Sequence, residues 1–228
     1  MILANYLIAG ELSQATGEIV LPLKPYDKLP TQVNSHADML VSIIGDCLFV
    51  YNDYFEENRE VFEKIKNFNI VRSKHICKDK YPHDIGLNAL IVGRKIFCNV
   101  PYTAQEILDC AKLNGFEIIH VKQGYSCCST LVIDEKSAIT SDAGMYKALL
   151  SAGIDTMYVN SNFISLDGYN CGFVGGSGGV LGTTVYFFGN INEHPQFQEV
   201  YRFLIKKKLK IECILPRGVS DFGGFKVV

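Results

Sequence analysis

Two side chains of this sequence, Cys127 and His36, are of types that together could carry out covalent catalysis. A cysteine thiolate attacks electrophilic carbon, and an imidazole moves protons near neutral pH. Most cysteines, however, are buried structural thiols, and a histidine followed two residues later by an aspartate is common by chance. The pair therefore makes a site only if the fold brings the two residues together.

The elements that would position these residues follow a repeated pattern. Four segments each contain a β-rich run, a tight turn and a second β-rich run, with the turns near Gly45, Gly93, Asp134 and Gly182 at nearly regular intervals. Such runs around a turn predict β-hairpins. An amphipathic helix and a short strand follow each hairpin, with the helices predicted over 54–68, 103–114, 143–152 and 195–208.

A fifth unit of the same kind is split between the two ends of the chain. Residues 1–8 form a β-rich run without a partner, and the chain ends within a second such run over 221–228. Pairing the two ends would close a ring and remove the exposed sheet edges. The sequence thus predicts an α/β fold of one domain, 1–228, in which five ββαβ units form a five-bladed propeller. Periodicity alone also allows an open α/β sheet with hairpin insertions.

In a ring of this kind, the residues that open the first strand of each unit converge near the axis. A cysteine, a histidine and carboxylates would then share one funnel, where a thiolate attacks and an imidazole shuttles protons. The converging residues are His36, Asp38, Asn88, Cys127, Cys128, Asn170, Ser220 and Asp221.

The overall composition excludes several classes of partner and cofactor. The chain has 228 residues, of which 48% are hydrophobic and 20% charged, and a formal net charge of -2, so it carries no electrostatic footprint for nucleic acid or an anionic membrane. The eight cysteines form no CxxC pair and no cluster with metal-ligand spacing, which indicates buried thiols in a reducing compartment and no metal site. The apolar start, 1–9, is too short to span a bilayer and lacks a basic leader region, so we predict a cytoplasmic protein.

The glycine-rich segment 172–179 lacks the order of a nucleotide-binding loop, and we predict no cofactor. Its missing side chains would instead leave space around the axis for a substrate. His83 and Asp84 open the second hairpin, where a solvated loop is the simpler interpretation.

Two motifs resemble those of a known superfamily. The run Gly124-Tyr-Ser-Cys-Cys-Ser-Thr-Leu-Val-Ile133 is similar to the nucleophile segment of the dimethylarginine dimethylaminohydrolases, and His36-Ala-Asp38 resembles the His-x-Asp motif of the deiminases. Both belong to the pentein, or guanidino-group-modifying, enzymes, a superfamily that includes arginine and agmatine deiminases. The resemblance implies a pentein fold, with Cys127 as nucleophile, His36 as general acid/base and Asp38 as a carboxylate that orients the substrate.

The sequence departs from that superfamily in two respects. Two units follow Cys127, whereas the nucleophile of the superfamily usually lies near the carboxy terminus, so the ring is circularly permuted. The acidic motifs should match Phe173 to Gly176 and Phe222 to Phe225, yet none of Gly175, Gly176, Phe222 and Phe225 is acidic. A buried guanidinium without carboxylates is unfavourable, and Asp167 and Asp221 are near enough in sequence to substitute.

The sequence therefore predicts a cysteine-dependent hydrolase or transferase that acts on an amidino or related C–N bond of a small guanidino-, amidino- or amino-acid-like substrate. Its catalytic residues would be Cys127 and His36, and its substrate-binding residues Asp38, Asn88, Asp221 and Asp167. The alternatives are a non-catalytic binding protein, as in the ribosome anti-association initiation factor of eukaryotes and archaea, and a small-metabolite binder. The oligomeric state is not predicted.

Overall fold

The computed structural model describes residues 1–228 and contains seven α-helices and fifteen strands. The helices are α1 (Ala9–Thr16), α2 (Ala37–Leu40), α3 (Asn52–Glu57), α4 (Arg59–Phe62), α5 (Gln105–Leu113), α6 (Ala143–Ser151) and α7 (Phe197–Lys206). The strands are β1 (Ile2–Asn5), β2 (Val20–Leu23), β3 (Val41–Ile44), β4 (Cys47–Tyr51), β5 (Asn69–Ser73), β6 (Leu90–Val92), β7 (Lys95–Cys98), β8 (Glu117–His120), β9 (Thr130–Asp134), β10 (Ser137–Thr140), β11 (Asp155–Tyr158), β12 (Gly178–Leu181), β13 (Thr184–Phe187), β14 (Lys210–Cys213) and β15 (Phe225–Val227).

The strands form five three-stranded sheets of the same design. Each contains an antiparallel pair and a third strand parallel to the middle one, and four of the sheets are β3-β4-β5, β6-β7-β8, β9-β10-β11 and β12-β13-β14. Gly45, Gly93 and Gly182 have positive φ in the hairpin turns, a backbone conformation that these tight turns require. The five sheets agree with the five predicted units.

The fifth sheet joins the two ends of the chain, as the sequence predicted. Strand β1 pairs antiparallel with β15 and parallel with β2, and the Val228 N–H donates to the Met1 carbonyl over 3.0 Å. Residues 1 and 228 thus lie side by side at the end of the sheet where the other units have a hairpin turn.

Several helix boundaries differ from the prediction. The helix expected over 54–68 is two short helices, α3 and α4, interrupted at Asn58, whose side chain donates to the Tyr54 carbonyl and competes with the regular backbone pattern. Helix α5 begins two residues later than expected, because the Thr103 hydroxyl donates to the Asn99 carbonyl and does not cap the helix. Helix α6 begins at Ala143 as predicted, where the Asp142 carboxylate caps it by accepting from the Met145 N–H over 2.7 Å.

The segments that open two of the axial strands also differ from the prediction. The residues after His36 form the helical turn α2, and β3 begins only after it. In this turn the Asp38 N–H donates to the Gly223 carbonyl of the fifth unit, so the backbone here does not follow the direction of β3. Residues Gly175–Ser177 likewise form a single 3₁₀ turn before β12.

The first strands of neighbouring units lie side by side. Strand β9 contacts β6 and β12, β12 contacts β15, and α2 packs against β1 and β15. The beginnings of these elements carry most of the candidate residues, so the packing of the sheets gathers those residues in one region. No helix of the chain combines the length and the apolar character needed to cross a membrane.

Candidate active site

Cys127 lies in the turn before β9 and is held there by Asn88. Its N–H donates to Asn88 Oδ1 over 2.8 Å, and Asn88 Nδ2 donates to the carbonyl of Asp38 over 2.9 Å. The same amide nitrogen lies 2.9 Å from the sulfur of Cys128, which is buried in the core as expected. The side chain of Asn88 is therefore fully used within the protein, where it fixes the backbone of Cys127 against that of Asp38.

The thiol of Cys127 contacts a lysine that the sequence did not single out. Lys226 of β15 places its Nζ 3.2 Å from Cys127 Sγ, and both residues are partly buried. The available signal was a single charged residue in a strand predicted to lie near the axis. Sequence spacing could not reveal the pairing, since the two residues come from different units.

Burial and the neighbouring charges shift the pKa values of this pair in opposite directions. Burial raises the pKa of the Cys127 thiol, and the ammonium of Lys226 only partly offsets that effect. Burial disfavours the charge on Lys226, yet the attraction of Cys127 and Asp38 outweighs it and raises the pKa of the lysine. The contact thus stabilises the charged form of Lys226 and offsets part of the cost of burying a thiolate at Cys127.

His36 lies between two buried carboxylates. Its Nδ1 is 3.6 Å from Asp221 Oδ1 and 4.0 Å from Asp38 Oδ1, and all three side chains are almost fully buried. Burial lowers the pKa of His36, while the charge of Asp38 opposes the shift. Burial raises the pKa of Asp38, and it raises the pKa of Asp221 to about 6. The shifts bring the pKa of the histidine and those of the two carboxyl groups closer together, which favours proton exchange within the cluster.

The two carboxylates differ in how they are satisfied. Asp221 Oδ2 accepts from the Phe173 N–H over 2.8 Å, and Oδ1 accepts from the Gly223 N–H over 3.0 Å. Neither oxygen of Asp38 accepts a hydrogen bond of normal geometry, and the thiol of Cys128 is the one weak donor near it. Buried polar atoms are nearly always paired, so the carboxylate of Asp38 has an unfilled capacity to bind donors.

Two cavities lie on either side of this cluster. The first, about 330 Å³, has His36 and Asp221 among its lining residues and the exposed side chains of Arg217 and Asp167 as well. We call it the histidine cavity.

The second, about 310 Å³, is lined by Asp38, Cys127 and Lys226, with Gly175, Gly178, Gly179, Gly223 and Gly224 among its walls. We call it the thiol cavity. His36 and Cys127 thus face separate cavities, and no hydrogen bond joins them.

The wall between the cavities includes the backbone of Gly223 as well as the buried acids and His36. Gly223 lines the thiol cavity and also packs on His36, where a Cβ at position 223 would lie only 2.2 Å from the His36 Cβ. A Cβ at Gly176 would lie 1.9 Å from Asp221 Oδ1. The carboxylate of Asp221 therefore occupies the volume that an acidic side chain at position 176 would need, whereas Asp167 lies in the exposed part of the histidine cavity.

One prediction about the loops is wrong. Asp84, expected in a solvated loop, is fully buried, and its Oδ2 accepts from the Tyr125 hydroxyl over 2.6 Å. A partner hydroxyl from a distant segment makes the burial possible, and His83 beside it is exposed. No group of three or more His, Cys, Asp or Glu side chains is arranged to hold a metal ion.

Solved structures with the same arrangement of elements support the fold. Dimethylarginine dimethylaminohydrolase from Pseudomonas aeruginosa, a mutant in complex with citrulline, superposes with a TM-score of 0.56 at 8% identity, covering 93% of this chain and 90% of that one. The N-terminal domain of an arginine dihydrolase from cyanobacteria, bound to product, gives 0.54 at 12% identity, covering 92% and 77%. Inosamine-phosphate amidinotransferase from Streptomyces griseus gives 0.50 at 11% identity, covering 91% and 72%.

The fold is thus that of the pentein, or guanidino-group-modifying, superfamily, as the motifs predicted. At these identities the likeness concerns the fold alone. The chain itself belongs to the family of unknown function DUF6873, whose model matches residues 6–225. No curated protein matches it in sequence.

Proposed function

We propose that this protein is a cysteine-dependent enzyme that modifies an amidino or guanidino group of a small molecule. The observation that carries the proposal is the unpartnered, buried carboxylate of Asp38 in the same cavity as the thiol of Cys127. A planar amidino cation in that cavity would give Asp38 the donors it lacks and present its carbon to the sulfur. The likeness in fold to enzymes that act on such groups supports the same class of chemistry.

In this reaction Cys127 is the nucleophile. The thiolate forms a C–S bond to the amidino carbon, and the π electrons of the C=N bond move to nitrogen. An amine then leaves with a proton, which gives a covalent intermediate on sulfur; attack by water or by an acceptor amine breaks the C–S bond and restores the thiolate. Hydrolysis and amidino transfer differ only in that second nucleophile.

His36 supplies and removes the protons in this proposal. It lies 4.0 Å from Asp38, which faces the thiol cavity, and 3.6 Å from Asp221, which lines the histidine cavity. A substrate held in the histidine cavity must therefore extend its amidino group past Gly223, so that the group contacts Asp38 and Cys127 in the thiol cavity. Asn88 acts in positioning, since it holds the backbone of Cys127.

The lining of the histidine cavity favours a substrate with an amino-acid-like head. Arg217 and Asp167 are exposed side chains of opposite charge in the same cavity and are free of ion pairs. A carboxylate and an ammonium on one carbon atom complement such a pair. The substrate would place its head group at these residues and extend its amidino group past His36 and Asp221 toward Asp38 in the thiol cavity.

We also infer that the five units close into a five-bladed propeller. The pairing of β1 with β15 and the contacts between successive axial strands support that closure.

Labelling with a haloacetamidine tests the proposal. The probe should alkylate Cys127 and spare the exposed thiol of Cys213, and His36→Ala should slow that labelling strongly, as read by mass spectrometry of the digested protein. Cys127→Ser is the matched control for site assignment. Equal labelling of Cys127 and Cys213, with no effect of His36→Ala, would contradict an enzyme of this kind.

The separation of Cys127 and His36 into two cavities favours a second candidate, a pentein-fold protein that binds a small metabolite without turning it over. A ligand that binds only the native state raises the melting temperature. An amidine or amino acid that stabilises both the wild type and Cys127→Ser, and is recovered unchanged from the wild type, would select this candidate.

A further inference from the structure

Lys226 has an unusual set of partners for a partly buried lysine. It forms no salt bridge with a carboxylate, and its one hydrogen bond is to Cys127 Sγ, at 3.2 Å. The charged and titratable groups that face this pair are Asp38 and Cys128, and Asp221, in the same unit as Lys226, acts on both of them. The ammonium has therefore been placed against a thiol, although an aspartate lies in the same cavity.

A neutral thiol satisfies that ammonium poorly. The sulfur of an S–H group is a weak hydrogen-bond acceptor, whereas a thiolate accepts a charge-assisted hydrogen bond. The contact is strongest when the proton of Cys127 has left and Lys226 is charged. No other cation reaches the sulfur, since His36 faces the histidine cavity and lies nearest to the two aspartates.

We propose that Lys226 stabilises the thiolate of Cys127 through their direct contact, and so acts as the activating residue for the nucleophile. The inference rests on the proposed function, in which Cys127 attacks the substrate. It assigns to Lys226 the charge that would otherwise have to come from a cationic substrate or from the imidazole. His36 is then left to serve the leaving group and the second nucleophile.

The pH dependence of alkylation by iodoacetamide tests this assignment, because the reagent is neutral and carries no amidino group. Lys226→Met should raise the pH midpoint for alkylation of Cys127 by about one unit or more and slow alkylation at pH 7 by about tenfold. Lys226→Arg should keep both near their wild-type values. Cys213 in the same samples is the internal control, and its rate should not change.

An unchanged midpoint in Lys226→Met, with folding verified by urea denaturation, would overturn the assignment. Failure of the proposed function looks different. If Cys127 of the wild type reacts readily with iodoacetamide, loses that reactivity in Lys226→Met, and yet ignores haloacetamidines, then Lys226 activates the thiol but the protein is not an amidino-modifying enzyme.

Discussion

The two cavities differ in what their walls are made of. The histidine cavity is lined largely by polar side chains, with exposed Arg217 and Asp167 and buried His36 and Asp221. The thiol cavity is lined by glycine backbone and apolar strands, with Cys127, Lys226, Asp38 and Thr130 as its polar residues. The first has the character of a pocket that recognises a head group, and the second combines the nucleophile with the unpartnered carboxylate of Asp38.

This difference makes the wall between the cavities the decisive element of the site. The backbone of Gly223 packs on His36 and lines the thiol cavity, and the Gly223 N–H donates to Asp221 Oδ1. A ligand recognised in the histidine cavity can therefore reach Cys127 only by passing Gly223. Variants that thicken the wall, alter its charge or change either cavity alone separate these contributions.

Thickening the wall should have the largest effect. Gly223 has φ +80 and no room for a Cβ beside His36. We expect Gly223→Ala to lower the free energy of unfolding by about 4 kcal/mol, from left-handed backbone strain together with overpacking, as measured by urea denaturation.

Gly182→Ala is the matched control, because Gly182 has φ +58 and a Cβ added there would meet no other atom within 4 Å. It should cost about 1 kcal/mol, from backbone strain alone. Equal losses in the two variants would show that His36 moves easily and that the wall is not tightly packed.

The charge in the wall should make stability depend on pH. Asp221 has a pKa of about 6 in the folded protein against 3.8 ordinarily, so the folded state keeps a proton that the unfolded chain has lost between these values. Protonated Asp221 therefore contributes about 3 kcal/mol to the free energy of unfolding below about pH 4, and this contribution is lost as the pH rises to about 6. Relative to Asp221→Asn, the unfolding free energy of the wild type should therefore fall by that amount from pH 4 to pH 7.

A set of urea denaturation curves for both proteins at pH 4, 5, 6 and 7 checks this. Parallel pH profiles for the wild type and Asp221→Asn would mean that the carboxyl titrates normally and that its burial is relieved in solution.

The hydrogen bond between Tyr125 and Asp84, close in sequence to Cys127, should show a smaller effect. Tyr125 precedes Cys127 by two residues, and its hydroxyl donates to the buried carboxylate of Asp84, whose other oxygen has no partner. Tyr125→Phe should cost about 2 kcal/mol at pH 7, because the carboxylate loses its donor, and less at pH 4, where Asp84 is more nearly protonated. Tyr81→Phe is the control, since its hydroxyl makes only a long, exposed contact.

Much of the fold could be predicted because its signals are local. Hairpin turns at Gly45, Gly93 and Gly182 and the cap at Asp142 depend on residues close in sequence. The repeat also predicted the pairing of the chain ends, because a β-rich run without a partner remained at each end. The break at Asn58 was missed because its hydrogen bond competes with a helical pattern that is otherwise intact.

The site could be predicted only in part, because its decisive contacts cross between units. The lack of an acid at Gly176 is visible in the sequence, but the carboxylate that fills this volume comes from Asp221 in the next unit. Lys226 of the fifth unit contacts Cys127 of the third unit. Local patterns cannot show which side chains of separate units approach each other in space.

The smallest effect on stability, and the sharpest test of the comparison, should come from Arg217 in the histidine cavity. Arg217 is exposed, so Arg217→Ala should change the free energy of unfolding by less than about 0.5 kcal/mol. Because the charge of Arg217 would hold a substrate carboxylate, the variant should bind an amino-acid-like ligand about tenfold more weakly, seen as a smaller ligand-induced rise in melting temperature. Arg202→Ala on α7 is the control, as it removes an equally exposed arginine that does not line the cavity. If both variants respond to citrulline and arginine as the wild type does, the histidine cavity does not recognise the head group, and the ligand must enter through the thiol cavity.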